Sequence, residues 1–98
     1  MTLWVAEYST ERGPLVAVAD DAVAGEAYVD GDVTLDVDEE FYCGDRRDPE
    51  DVAPLLARAT IANLAGDRAV ELGVDEGLVD EENVLEVDGV PHAQMVRI

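Results

Sequence analysis

The stretch DPEDVAPLLARATIANLAG, from Asp48 to Gly66, decides the fold. Asp48-Pro49-Glu50-Asp51 combines a capping acid, a proline suited to a first helical turn, and carboxylates where helix N–H groups lack partners. Pro54 leaves two readings of the start. The helix begins at Asp48 and is distorted at Pro54, or Asp51 is the cap and Pro54 sits at the third helical position. In both readings Val52, Leu55, Leu56 and Ala59 share one apolar stripe, and Gly66 reads as the C-terminal stop. The segment is therefore expected to be a core-facing helix, the longer of two.

Outward from this helix the periodicity changes. On the N-terminal side, Leu3–Tyr8 and Leu15–Ala19 flank the turn-rich Ser9-Thr10-Glu11-Arg12-Gly13-Pro14 and read as a hairpin. Asp20-Asp21 offers a cap for one helical turn ending at Gly25. Ala27–Val29 and Val33–Val37 straddle Asp30-Gly31, a dipeptide that tolerates positive φ, and Val33, Leu35 and Val37 alternate with Thr34 and Asp36. On the C-terminal side, Asp67 can cap a shorter helix carrying Val70 and Val74 and stopping near Gly77. Val84–Val87 and Ala93–Ile98 then frame Asp88-Gly89 as a last hairpin. Strands, then helices, then strands predict an α+β fold and not a βαβ alternation. A single domain over residues 1–98 is expected, with N-terminal and C-terminal hairpins packed on one longer and one shorter helix.

Twenty-four acidic residues stand against six basic ones, all arginine, giving a formal charge of −18 and a pI near 4.1. The acids run from Glu7 to Asp88 and form no tail, so they describe a whole folded surface. A hydrophobic content of 48% argues against an acidic disordered segment. Such a surface suits a cytoplasm at molar salt, where the Debye length falls to about 3 Å at 1 M, and high salt is expected to be required for folding. Thirteen alanines and fifteen valines build a core of small units. One cysteine, Cys43, excludes an intrachain disulfide and disfavours a metal–thiolate site. No apolar run approaches the roughly 20 residues that span a bilayer, so no membrane partner is expected.

Motifs for familiar chemistry are missing. Asp30-Gly31-Asp32-Val33-Thr34 resembles the start of a calcium loop, yet Leu35 and Phe41 stand where its glycine and closing glutamate belong. Asp36, Asp38, Glu39 and Glu40 could gather a hard cation, but in so acidic a chain they read as a solvated face. A lone histidine supplies no two-histidine metal site. Catalytic residues, cofactor and metal are each expected to be none.

Three spots set hydrogen-bonding side chains among apolar or small residues: Phe41-Tyr42-Cys43-Gly44, Asn63, and Pro91-His92-Ala93-Gln94. Read structurally, Asn63 is a helix-end amide, His92 pins the last hairpin, Phe41 and Tyr42 anchor a loop, and Cys43 is a small buried hydrophobe. Read functionally, they form one patch. Phe41, Tyr42, Gly44, Asn63, His92 and Gln94 would gather, with Arg46 and Arg47 at the border supplying guanidinium planes that hold unpaired bases.

Phe41-Tyr42-x-Gly44, Ala59-Thr60-Ile61-Ala62-Asn63-Leu64-x-Gly66-x-x-Ala69-Val70, Gly77-Leu78-Val79 and Gly89-Val90-Pro91-His92-Ala93-Gln94 together resemble the archaeal domain-of-unknown-function family 424. Val16-Ala17-Val18-Ala19-Asp20 followed by Gly25 fits the opening of the same family. The resemblance spans nearly the whole chain and implies an archaeal protein associated with translation or RNA. With the acidic composition it implies a haloarchaeal member. The expected function is a non-catalytic accessory of archaeal translation or RNA processing, its partner RNA or a ribosomal particle. One alternative is a small enzyme with His92 as acid/base and Tyr42 and Asn63 orienting substrate. Another is an adaptor with a protein partner.

Overall fold

A computed structural model describes residues 2–97. Eight strands and three helices follow one another: β1 (Leu3–Thr10), β2 (Gly13–Asp20), β3 (Ala27–Asp30), β4 (Val33–Asp36), α1 (Glu39–Tyr42), β5 (Asp45–Arg47), α2 (Pro49–Arg58), β6 (Ile61–Ala65), α3 (Asp67–Asp75), β7 (Leu85–Val87) and β8 (Val90–Val96). Six strands form one sheet in the order β5-β1-β2-β6-β8-β7, and β3 and β4 form a separate hairpin. The fold is α+β, with the expected hairpins at Gly13, Asp30-Gly31 and Asp88-Gly89. At the last of these Asp88 and Gly89 take φ of 51° and 81°, the two positive angles of a primed hairpin turn. Ile98, the expected end of β8, lies outside the described residues.

The segment 48–66 differs from the sequence expectation in its second half. The helix starts at Asp48, with Pro49 in its first turn and Pro54 inside it, and it stops at Arg58. Val52, Leu55, Leu56 and Ala59 are buried as the stripe requires. Ile61–Ala65, read as the continuation of that helix, is instead β6, at the centre of the sheet. It pairs parallel with β2 from Leu15↔Ile61 to Ala19↔Ala65 and antiparallel with β8 from Ile61↔Val96 to Ala65↔His92. The physical reason lies in burial. A helix on a domain surface needs a polar outer face, whereas Ile61-Ala62-Asn63-Leu64-Ala65 has a single polar residue and is covered on both sides, as central parallel strands are.

Gly66 therefore ends a strand and opens a helix. Its φ is 104°, and the N–H groups of Arg68 and Ala69 beyond it are capped by the Asp20 carboxylate at 3.0 and 2.8 Å. Asp67, the expected cap, is the first residue of α3, where its charge still favours the helix N-terminus.

Strand alternation divides the core into two. Leu3, Val5, Val16, Val18, Ala62, Leu64, Ala93 and Met95 face α2 and α3. On the opposite face Ala17, Ala19 and Ala65 leave room for α1 and the β3–β4 hairpin, which bury Val23, Leu35, Val37 and Tyr42 against them. The small residues are what bring this second layer close to the sheet, and the functional candidates lie in it. Among the described residues no helix is long and apolar enough to cross a membrane.

Candidate functional site

The second layer reaches across to β7 but leaves a cleft of about 480 Å³ over β6 and β8. Tyr42 and Phe41 enter it from α1, Asn63 from β6, His92 and Gln94 from β8, and Thr34, Asp36 and Asp38 from β4 and its exit. Tyr42, Asn63 and His92 thus share one site, together with Phe41 and Gln94. Register accounts for half of it. Asn63 lies opposite Gln94 and Ala65 opposite His92, so all three polar side chains emerge on the same sheet face.

Each member is oriented by its neighbours. Gln94 Nε2 donates to Asn63 Oδ1 at 2.6 Å, which replaces the helix-end role expected for Asn63 with a cross-strand amide pair. His92 Nδ1 lies 3.0 Å from Leu64 O. A carbonyl only accepts, so Nδ1 carries the hydrogen, and Nε2 of the uncharged ring is left as an acceptor. Phe41 stacks on Tyr8 with centroids 5.2 Å apart and meets Tyr42 edge-on at 5.1 Å. Tyr8 closes this brace by donating its hydroxyl to Phe41 O at 2.6 Å. Asp38 caps α1, its Oδ1 accepting from Glu40 N at 3.0 Å.

Burial pushes the Tyr42 phenol up to about 12, so it stays protonated well above the ordinary range. The sign of the linkage follows. Between pH 10 and about 12 the unfolded chain gives up this proton before the folded one does, so stability is full below pH 10 and falls across that window. Tyr42→Phe is expected to remove that part of the alkaline loss, measured as the unfolding midpoint against pH.

The remaining candidates lie elsewhere. Gly44 fits against β1, where an added Cβ would come within 2.7 Å of Val5 O, so its role is close packing. Arg46 and Arg47 sit on β5 and do not line the cleft. Arg46 covers the Trp4 ring at 4.3 Å and pairs with Asp21 at 2.9 Å, and the same Asp21 oxygen accepts from Trp4 Nε1 at 3.0 Å. Arg47 pairs with Asp45 at 3.5 Å. Cys43 lines a separate hollow with Trp4, Asp21 and Glu39. Burial and then the carboxylates of Glu39 and Asp21 raise its thiol pKa. Cys43 is expected to react with a thiol reagent at pH 8 more slowly in the native protein than in the unfolded one. Equal rates would show an activated cysteine.

Sequence reading did not place Thr34, Asp36 and Asp38 at the site. Strand alternation puts Thr34 and Asp36 on the polar face of β4, and Asp36 and Asp38 read as part of a solvated acidic run. Among the described residues, no three histidine, cysteine, aspartate or glutamate side chains are gathered closely enough to hold a metal ion.

A mixed six-stranded sheet with two helices on one face, and a hairpin layer framing a polar cleft on the other, defines the class of domain. The chain matches the family described as "Protein of unknown function (DUF424)" over residues 8–98, and it belongs to that family. It is also similar to an uncharacterized conserved protein from Methanopyrus kandleri whose crystal structure is known. That similarity has 27% identity and a TM-score of 0.82 and covers 97% of this chain and 90% of the other. A comparison with curated proteins gives no match.

Proposed function

We propose that this chain is a non-catalytic accessory of archaeal translation or RNA processing, binding RNA or a ribonucleoprotein by taking an unpaired base into the cleft. The observation that carries the reading is the convergence of Phe41, Tyr42, Asn63, His92 and Gln94 in a cleft that, among the described residues, no arginine lines. Aromatic surface beside amide and imidazole groups is the chemistry that holds splayed bases by stacking and by their edges. A chain of charge −18 gains little from phosphate contacts, and at molar salt counterion release contributes little to any protein. Base contacts are the mode left to it. The acidic surface, the family and the archaeal structural neighbour support a haloarchaeal cytoplasmic protein.

A pull-down at native salt, with and without nuclease, tests the partner. RNA or ribosomal particles should be recovered and lost on nuclease treatment. Phe41→Ala, with folding verified by circular dichroism, is expected to weaken RNA binding by about 1–3 kcal/mol, the contribution of one stacked base. Undiminished binding by this variant, with recovery indifferent to nuclease, would remove the RNA reading. An enzyme is favoured by one observation, the His92 ring held at Nδ1 with Nε2 free. Against it, no serine or cysteine nucleophile lines the cleft among the described residues.

A further inference from the structure

Resting on the nucleobase reading, the geometry points to guanine as the base that the cleft takes. Two side chains carry the argument because they are buried and yet incompletely bonded. Tyr42 is 4% exposed and Asn63 8%. Among the described residues the Tyr42 hydroxyl has no hydrogen-bond partner, and Asn63 is bonded only through its Oδ1. No wholly buried side-chain nitrogen or oxygen lacks a partner there, so the Tyr42 hydroxyl and the Asn63 amide nitrogen both keep access to solvent. Both residues line the cleft. They are donors fixed by burial and lacking acceptors.

The rest of the lining has the opposite character. In the uncharged His92 ring Nε2 accepts, Gln94 Oε1 has no partner among the described residues, and Asp36 and Asp38 bring carboxylates, the second held by its bond from Glu40 N. A matching ligand must place two adjacent donors before a carboxylate and offer acceptors to Asn63 and Tyr42. Guanine does both. Its N1–H and N2–H groups lie side by side on one edge, and O6 and N7 accept. Adenine and cytosine set a ring acceptor beside the amino group, and uracil sets one N–H between two carbonyls. An arginine side chain supplies the donors but leaves the Asn63 amide without an acceptor. Phosphate supplies no donors and meets two carboxylates. Phe41, braced by Tyr8, adds an aromatic surface for the purine ring.

The test is a titration of the full chain, at molar salt, with fluorescently labelled pentauridines carrying guanosine, inosine, adenosine or cytidine at the centre. The guanosine oligonucleotide is expected to bind about tenfold more tightly than those with adenosine or cytidine, as for one bidentate contact. Inosine, lacking the N2 amino group, should fall between. Asp36→Asn with Asp38→Asn should abolish the preference, so that the guanosine and adenosine oligonucleotides bind alike, and asparagine at 38 keeps the α1 cap. Equal affinity for all four would overturn guanine and leave the RNA reading standing. Binding of none would overturn both. A preference that survives in the double variant would overturn the assignment of guanine to these carboxylates. An arginine-rich peptide bound through Asp36 and Asp38, with no discrimination among the RNAs, would overturn it in favour of a protein ligand.

Discussion

Transfer from 1 M to 0.1 M salt is expected to lower the unfolding free energy of this protein by about 5 kcal/mol, a large share of the stability of a domain this size. The cause is crowding of like charge. Eighteen net negative charges sit on a domain of 12.2 Å radius of gyration, and among the described residues only two ion pairs offset them, Arg46–Asp21 and Arg47–Asp45. Both pairs are exposed and worth little. For a charged sphere of this size the self-repulsion rises by about 9 kcal/mol between the two salts, and by about 4 in the expanded unfolded chain, which leaves about 5 against the fold. Hydrophobic burial offers little reserve, because the core is built largely from alanine and valine.

Chemical denaturation with urea, an uncharged denaturant, at both salts measures the difference. A midpoint that does not move would remove the halophilic reading. Sodium and potassium chloride should act alike at equal ionic strength, since screening depends on charge and concentration.

The fold was legible in the sequence wherever local chemistry decides conformation. Asp88-Gly89 and Asp30-Gly31 announce their turns because few residues take positive φ, and Val52, Leu55 and Leu56 announce a buried helix face by spacing alone. Ile61–Ala65 was not legible in this way. Its hydrogen bonds come from Leu15–Ala19 and His92–Val96, distant in sequence, so nothing local separates a buried strand from a buried helix there. The site was legible in part for a related reason. Tyr42, Asn63 and His92 stand out as polar groups among apolar neighbours, and one cleft brings all three together. Asp36 and Asp38 could not stand out among twenty-four acids. The place of Arg46 was not legible because Trp4 and Asp21, which hold it, are distant from it in sequence.

Gly66→Ala is expected to cost about 4 kcal/mol. Two effects combine at one position. Gly66 has φ 104° and ψ 163°, a region essentially reserved for glycine, and forcing alanine into it costs about 1–3 kcal/mol. The new Cβ would also lie 2.5 Å from Asp20 Cγ, so the Asp20 carboxylate must withdraw. Withdrawal breaks its bonds to the N–H groups of Arg68 and Ala69, and loss of such a cap costs about 0.5–2 kcal/mol. The same contact ties β2 to the start of α3, so the damage reaches the strand that pairs with β6 as well. A double-mutant cycle separates the two effects. Asp20→Ala alone should cost about 1–2 kcal/mol by uncapping α3, and in that background Gly66→Ala should cost only its backbone strain. The sum of the single losses must therefore exceed the loss in the double variant by about 1 kcal/mol. Strict additivity would mean that Asp20 does not cap α3. A Gly66→Ala loss below about 1 kcal/mol would mean that residue 66 lies outside the glycine-only region.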